Sequence, residues 1–332
     1  MASYARYLVQ RLITYFLTTL AALAINFLVP RLSPGNPIGQ VLSMMRDLGV
    51  TVGGEELIEE YEKMFGLKGD WFTQFICYIR EILRGNLGYS ISNFPARVDT
   101  MIARALPWTI GLLSVTAALS WIIGTIIGAI SGWRGEKSIF SKIFTPIALI
   151  LYTIPYYILA MILVFFLAYT IPIFPICGAY SPGMRPSLSL SFILDVIRHS
   201  TLPALSIVLS SLGWWYLSMR SMMVTIRGED FILMAEAKGL TRRRILWKYA
   251  FRNALLPQVT GLALSLGNIV GGALLTEVVF SYPGMGWLLY TAIMSADYPV
   301  IQGITLVITL SVCTATFLLD FIYPLIDPRI KY

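Results

Sequence analysis

Charge interrupts this chain so rarely that six stretches between successive charged or His residues are each long enough to cross a bilayer. They span 19 positions from Arg11 to Arg31, 29 from Arg104 to Arg134 and 42 from Lys142 to Arg185. Three more span 20 from His199 to Arg220, 24 from Arg252 to Glu277 and 22 from Asp297 to Asp320. A helix needs ~20 apolar residues to traverse the hydrocarbon. The runs are continuous rather than alternating, which predicts helices instead of barrel strands. Charged residues make up 13% of the chain, about half the ~25% of a soluble domain. With a mean hydropathy of +0.72, an ordinary soluble fold is excluded. The expected fold class is all-α, a polytopic membrane protein with six transmembrane helices.

The 42-residue gap could hold one span or a hairpin of two, and charge decides between them. With one span there and the N-terminus inside, 15 of the 25 Lys and Arg residues fall on the inner side, eight of them between Arg220 and Arg252. Basic residues in short loops set orientation, whereas long loops translocate regardless. Two spans would put that eight-charge loop outside, so Pro155, Pro172 and Pro175 read as a kink and an outer exit. Arg6, Arg11 and Ala22-Leu23-Ala24 resemble a signal peptide, yet the apolar run continues through Val29, so an uncleaved anchor is expected. Both termini are expected in the cytoplasm.

The resulting organisation is an anchor helix over 1–30, an extracytoplasmic cap over 31–104 and a five-helix core over 105–332. In the cap, Leu57, Ile58, Tyr61, Met64 and Phe65 recur at helical spacing among five Glu residues, as an amphipathic surface helix would require. Phe72, Phe75, Ile76, Ile79, Ile82 and Leu83 suggest a second.

The inner segment 220–256 is the most informative. Glu229 and Asp230 suit a helix N-terminus, the helix continues through Phe231–Lys238, and Gly239 can supply a left-handed stop. Thr241 can cap a second helix from Arg242 to about Leu255, with Pro257 opening the fifth span. Small residues Ala235, Ala237 and Gly239 would let another backbone approach, as in a docking knob. Eight basic residues equally suit an interfacial helix held by anionic lipid.

Catalytic chemistry is not assembled anywhere in the sequence. His199 is the single His and is expected at the outer end of the fourth span, solvated or among lipid headgroups. No Cys/His cluster suits zinc, and three Cys residues exclude a disulfide scaffold; Cys77 and Cys177 both fall outside and leave pairing open. The string Gly132-Trp133-Arg134-Gly135-Glu136-Lys137-Ser138 fails the nucleotide-loop pattern because Glu136 stands where Gly must precede Lys. Ionisable residues of an ion-coupled carrier are missing at mid-membrane. Asn268 and Ser210 are polar residues within spans, Trp214 and Trp215 lie too deep for an interfacial belt, and Glu277 is near a span end. These positions read either as helix packing or as a solute path. Pro283, Gly284, Met285 and Gly286 form an outer turn that either hangs into a vestibule or caps the bundle.

The ordered set of strings resembles the permease subunits of binding-protein-dependent ABC importers, specifically the dipeptide/oligopeptide permease B group. It includes Tyr7–Leu12, Pro34-Gly35-Asn36-Pro37, Leu87-Gly88-Tyr89-Ser90, Ile154-Pro155 and Leu202-Pro203. The strongest block is Ala235-Glu236-Ala237-Lys238-Gly239-Leu240 followed by Arg252-Asn253-Ala254-Leu255-Leu256-Pro257, which looks like that group's ATPase-docking loop. Glu277–Phe280, Pro283–Gly286, Asp297-Tyr298-Pro299 and Asp327–Ile330 complete the series. Leu233-Met234-Ala235 departs from the Glu-Ala-Ala start of the general importer loop, and Asn86 stands where the group often has Asp.

The resemblance implies a type I importer fold in the cytoplasmic membrane and a second, homologous permease subunit. Two ATPase subunits holding ATP and Mg, and an external solute-binding protein, would complete the assembly. This chain would bind no cofactor or nucleic acid and would catalyse nothing itself. Residues 235–240 become the coupling element, supported by Arg252, Asn253 and Pro257, and Pro283–Gly286 a handover turn. Peptides are the first expected solute. Oligosaccharides are the alternative, since similar systems in some archaea and thermophiles carry them and Asn and Gln total only 11. An ATP-independent channel and a membrane hydrolase are the readings from other classes.

Overall fold

The computed structural model describes residues 2–32, 69–267, 269 and 272–326. The amphipathic helix expected around Leu57–Phe65, the Pro34–Pro37 string, Asn268, Gly271 and the closing Asp327–Ile330 lie outside the described residues. Helices dominate what is described: α1 (Ala2–Leu32), α2 (Trp71–Leu83), α3 (Val98–Arg134), α4 (Ile139–Thr153), α5 (Tyr156–Val164) and α6 (Leu190–Arg227). They continue as α7 (Asp230–Ala237), α8 (Phe251–Gly267), α9 (Leu274–Val279), α10 (Met285–Met294) and α11 (Tyr298–Ile326). A π-helical turn over Phe165–Thr170 extends α5, and the short helix Arg242–Arg244 with a π segment over Ile245–Ala250 leads directly into α8. Thr73 donates to Asp70 at 2.5 Å at the start of α2 and holds that carboxyl below its usual range.

Among the described residues, four helices are long and apolar enough to cross a membrane: α1, α3, α6 and α11. The third uncharged run is carried by α4 and the extended α5, bent by 97°. Its break falls at Ile154-Pro155, where proline cannot continue the helix. Ser210 of α6 donates to the Ile154 carbonyl freed there, at 3.2 Å. The fifth run is divided, with α8 ending at Gly267 and α9 starting at Leu274. Pro257 lies inside α8 rather than opening it, because the helix begun at Arg242 runs straight on.

Glycine sets the central packing. Gly124, Gly128 and Gly132 form one row on α3, and a methyl added at each would fall 2.6 Å from Trp215 Cβ, 2.5 Å from the Tyr216 carbonyl and 2.7 Å from the Arg220 carbonyl, respectively. Small residues four apart let two helix backbones approach closely in a membrane. Residue numbers rise together along both partners, so α3 and α6 are parallel. The end of α3 and the start of α6 therefore lie at opposite ends of the pair, and the bent α4–α5 unit makes the return. This geometry matches one net crossing in the 42-residue gap; a hairpin of two crossings would make α3 and α6 antiparallel. Gly213 of α6 meets the Ala148 carbonyl of α4 in the same backbone-to-backbone manner.

Buried polar side chains tie the helices together. Tyr216 is fully buried and shares its hydroxyl with Ser131 (2.6 Å) and Thr145 (2.7 Å), joining α6 to α3 and α4. Asn26 of α1 donates to Tyr78 and to the Gln302 carbonyl, each at 2.9 Å, and accepts from Thr305 at 2.6 Å. Contacts of this type average about 0.6 kcal/mol and reach about 1.7. Asn26→Ala should accordingly cost about 1 kcal/mol, measured as a shift in the detergent-unfolding midpoint; a shift near zero would show that α1 is held by apolar packing alone.

Candidate functional site

At one end of the α3–α6 pair, α7 is fixed by one face. Ile232 and Ala235 are buried among Ala129 of α3, Met219, Met223 and Ile226 of α6, and Ile245, Leu246, Ala250 and Ala254 of the following helix. Position 235 was expected to face an incoming partner; the structure corrects this, because i, i+3 spacing puts it beside Ile232 on the inward face. The outward face carries Leu233 and Met234, 55% and 62% exposed, together with Glu236, Ala237 and Lys238.

The stop after α7 follows the reading from sequence. Gly239 has φ +73°, its N–H donates to the Glu236 carbonyl at 2.9 Å and Leu240 N–H donates to the Ala235 carbonyl at 3.3 Å. These paired bonds close the helix end. Leu240 then packs on the same buried cluster as Ala235, so the turn is pinned from both sides. Thr241 precedes Arg242, although its side chain makes no capping bond. Asn253 donates to the Tyr249 carbonyl at 2.8 Å beside the π segment, and Arg252 is exposed.

A second constellation forms around Glu277, which is 0% exposed. Its Oε1 accepts from Thr109 of α3 at 2.8 Å, and its Oε2 accepts from the N–H groups of Gly286 (2.6 Å) and Trp287 (3.2 Å). Thr109 Oγ1 in turn accepts from Met285 N–H at 2.7 Å. The first three N–H groups of α10, otherwise without helical partners, are thus all satisfied. Glu277 thus acts as a helix cap made from a distant part of the chain. Gly284, Met285 and Gly286 are buried with it, and a methyl at Gly284 would coincide with the carboxylate. The turn 283–286 thus caps the bundle rather than hanging free.

Two sequence strings meet at a second buried carboxylate. Asp297, also 0% exposed, accepts from Ser90 Oγ (2.5 Å), Ile91 N–H (3.1 Å), Ser92 N–H (3.0 Å) and Ser92 Oγ (2.7 Å). It also receives Val300 N–H at 3.4 Å. The loop before α3 is thereby fastened to the start of α11. His199 is buried rather than solvated: its Nδ1 lies 2.9 Å from the Asp195 carbonyl and 3.5 Å from the Asp195 carboxylate, which itself accepts from Ser181. α6 begins at Leu190, about three turns earlier than the uncharged run suggested, which places His199 inside the helix.

Of the other path candidates, Ser210 is occupied with the α4–α5 break, and Trp214 is 44% exposed while Trp215 is buried against Gly124 and Gly261. Cys77 and Cys177 are both free and exposed. Among the described residues no group of three His, Cys, Asp or Glu side chains could hold a metal ion. Sequence reasoning missed Thr109, Asn26 and the α3 glycine row. The glycine row had a legible signal in its four-residue spacing, whereas Thr109 and Asn26 are single polar residues inside apolar runs.

Comparison with known proteins adds a consistent picture. The family described as binding-protein-dependent transport system inner membrane component matches residues 124–332. A protein of Brucella suis biovar 1 (strain 1330), provisionally named a peptide permease, is 32% identical over 326 residues, covering 98% of this chain and 99% of its own length. The oligopeptide transport system permease protein AppB of Bacillus subtilis (strain 168) is 29% identical over 330 residues, 99% of this chain and 100% of its own. The dipeptide transport system permease protein DppB of Escherichia coli (strain K12) is 28% identical over 345 aligned positions, 98% and 99% respectively.

Proposed function

The chain belongs to the family of binding-protein-dependent transport system inner membrane components, and from that premise we propose that it is one permease subunit of an ATP-driven importer of peptides. Relatives aligned over nearly their whole length carry oligopeptide and dipeptide permease names, which supports peptides over oligosaccharides. The importer would comprise a second, homologous permease, two ATPase subunits that supply ATP and Mg chemistry, and an external solute-binding protein. The six crossings of a type I permease would be α1, α3, the bent α4–α5 unit, α6, α8 with α9, and α11. The eight basic residues from Arg220 to Arg252 favour placing α7 and both termini in the cytoplasm.

The observation that carries the mechanism is the construction of α7. Its inward face is rooted in α3 and α6, and its outward face presents Leu233 and Met234, both exposed among the described residues. A helix so rooted transmits a push as a rigid-body movement of the α3–α6 pair, because close-packed interiors shift as units. ATP-driven closure of the ATPase pair below would move α7, and the pair would tilt to change which side the path faces. Glu277 and Asp297 would hold the opposite end together during that motion. Residues 235–240 remain the proposed coupling element, with docking assigned to the outward side chains and Ala235 as the root. Arg252, Asn253 and Pro257 support it from the following helix. Trp214 is the proposed path residue that keeps substantial exposure.

Gly239→Trp tests the reading. The left-handed backbone disfavours any side chain by about 1–2 kcal/mol, and nothing lies within 4 Å to clash with its Cβ. Membrane insertion should persist while solute-stimulated ATP hydrolysis in the assembled complex is abolished. Met234→Glu, which alters only the outward face, should reduce stimulation at unchanged thermal stability. Unchanged stimulation in both variants would remove α7 as the coupling element, and solute uptake by this chain alone would favour a channel.

A further inference from the structure

Five bases crowd the helix that follows α7: Arg242, Arg243, Arg244, Lys248 and Arg252, all exposed. Among the described residues none of them has a carboxylate partner; the nearby Glu136 pairs with Arg220 instead. Glu229, just before α7, and Asp230 and Glu236 within it are also exposed and, among the described residues, make no ion pair with the row. Uncompensated charge at this density needs an anionic neighbour or open water.

The arrangement of the row identifies the neighbour. Arg244, Lys248, Arg252 and Leu256 are spaced four apart. In an α-helix, residues four apart drift by about 40°, so three steps would carry Leu256 roughly 120° round the axis. The wider turns of the π segment Ile245–Ala250 rotate the row back, keeping the bases closer to one line. That line continues into Leu256 and Val259, 53% and 36% exposed. Beside it runs Trp247, 36% exposed, with its ring 5.0 Å from that of Phe251. A helix whose exposed face passes from bases, past an aromatic pair, to aliphatic residues matches the profile of a bilayer surface seen from headgroup to acyl chain.

We propose that the row Arg244–Lys248–Arg252 is a binding site for anionic phospholipid headgroups of the cytoplasmic leaflet, seated beside the coupling helix and separate from its outward face. The site rests on the orientation proposed above. Bound headgroups would anchor the root of α7 to the membrane surface, so that a push from below tilts the α3–α6 pair instead of sliding it. An acidic protein surface is the competing occupant; the continuity of the basic row with Leu256 and Val259 favours lipid.

The test uses the complex purified with its accompanying subunits in uncharged detergent. It is offered phosphatidylglycerol, phosphatidylcholine or soluble glycerol 3-phosphate, and bound lipid is counted by native mass spectrometry. Each base near a charged surface contributes about fivefold to affinity. The triple variant Arg244→Gln, Lys248→Gln, Arg252→Gln should therefore bind phosphatidylglycerol on the order of a hundredfold more weakly, with all subunits still attached. Arg244→Lys with Arg252→Lys should bind as the parent does. Equal retention by the triple variant, loss of the ATPase subunits instead of lipid, or equal binding of glycerol 3-phosphate would each overturn the site. Orientation is checked separately with Lys238→Cys in a background where Cys77, Cys177 and Cys313 are Ser. Labelling of intact cells by an impermeant maleimide would refute the orientation, whereas labelling only after permeabilisation leaves the lipid result to stand or fall alone.

Discussion

Glu277→Ala should be among the most damaging single substitutions in this chain. The side chain is fully buried and accepts from Thr109 and from the N–H groups of Gly286 and Trp287. Its removal strands three donors, two of them in fully buried contacts, and each orphaned buried donor costs about 1–3 kcal/mol. The expected loss is at least about 3 kcal/mol, seen as a lower unfolding midpoint in detergent and as faster amide exchange confined to the start of α10. Glu277→Gln keeps one accepting oxygen and should fall between the parent and the Ala variant. Thr109→Val removes one donor to the carboxylate and the acceptor of Met285 N–H at almost constant volume, and should cost less than Glu277→Ala. A Glu277→Ala protein of parental stability that fails only in uptake would return Glu277 to the solute path and defeat the cap assignment.

Gly128→Leu should be comparably severe for a different physical reason. No polar partner is lost; space is. A methyl at this position already falls 2.5 Å from the Tyr216 carbonyl oxygen and 3.1 Å from Met219 Cβ. Backbone cannot yield as a side-chain tip does, so α3 and α6 must separate and the neighbouring contacts at Gly124 and Gly132 open with them. Overpacking typically costs about 1–3 kcal/mol, and here it strikes the central helix pair together with the Tyr216–Ser131–Thr145 hydrogen bonds. The variant should accumulate poorly in membranes. Gly111→Leu on the same helix is the control, since nothing lies within 4 Å of its Cβ; it should accumulate normally. Equal accumulation of both variants would mean that the α3–α6 contact is looser than its geometry.

The lever and the outer clamp were unequally legible in the amino-acid order. The α7 stop could be read because a glycine after a periodic run has a local meaning, and the structure gives Gly239 the left-handed backbone that reading requires. The inward or outward sense of Ala235 depended on which side of a short helix met α3 and α6, and that is not a local property. Glu277 was visible as an acid near a span end, but its cap over α10 needs Thr109, 168 positions away in sequence. His199 was placed in solvent or among headgroups because the charge gap put the start of its helix too late.

The sequence by itself determined that the chain lives in a bilayer, that it is helical and that a basic segment lies between its fourth and fifth apolar runs. Each follows from hydrocarbon thickness and from the absence of water to satisfy bare backbone. Tertiary structure alone decided that α3 and α6 pack along a glycine row and that the kink expected at Pro155 is as sharp as 97°. It alone also decided that Glu277 and Asp297 fasten helix starts through hydrogen bonds. Those features arise where groups distant along the chain share a space too small for water, and no local pattern records which groups those are.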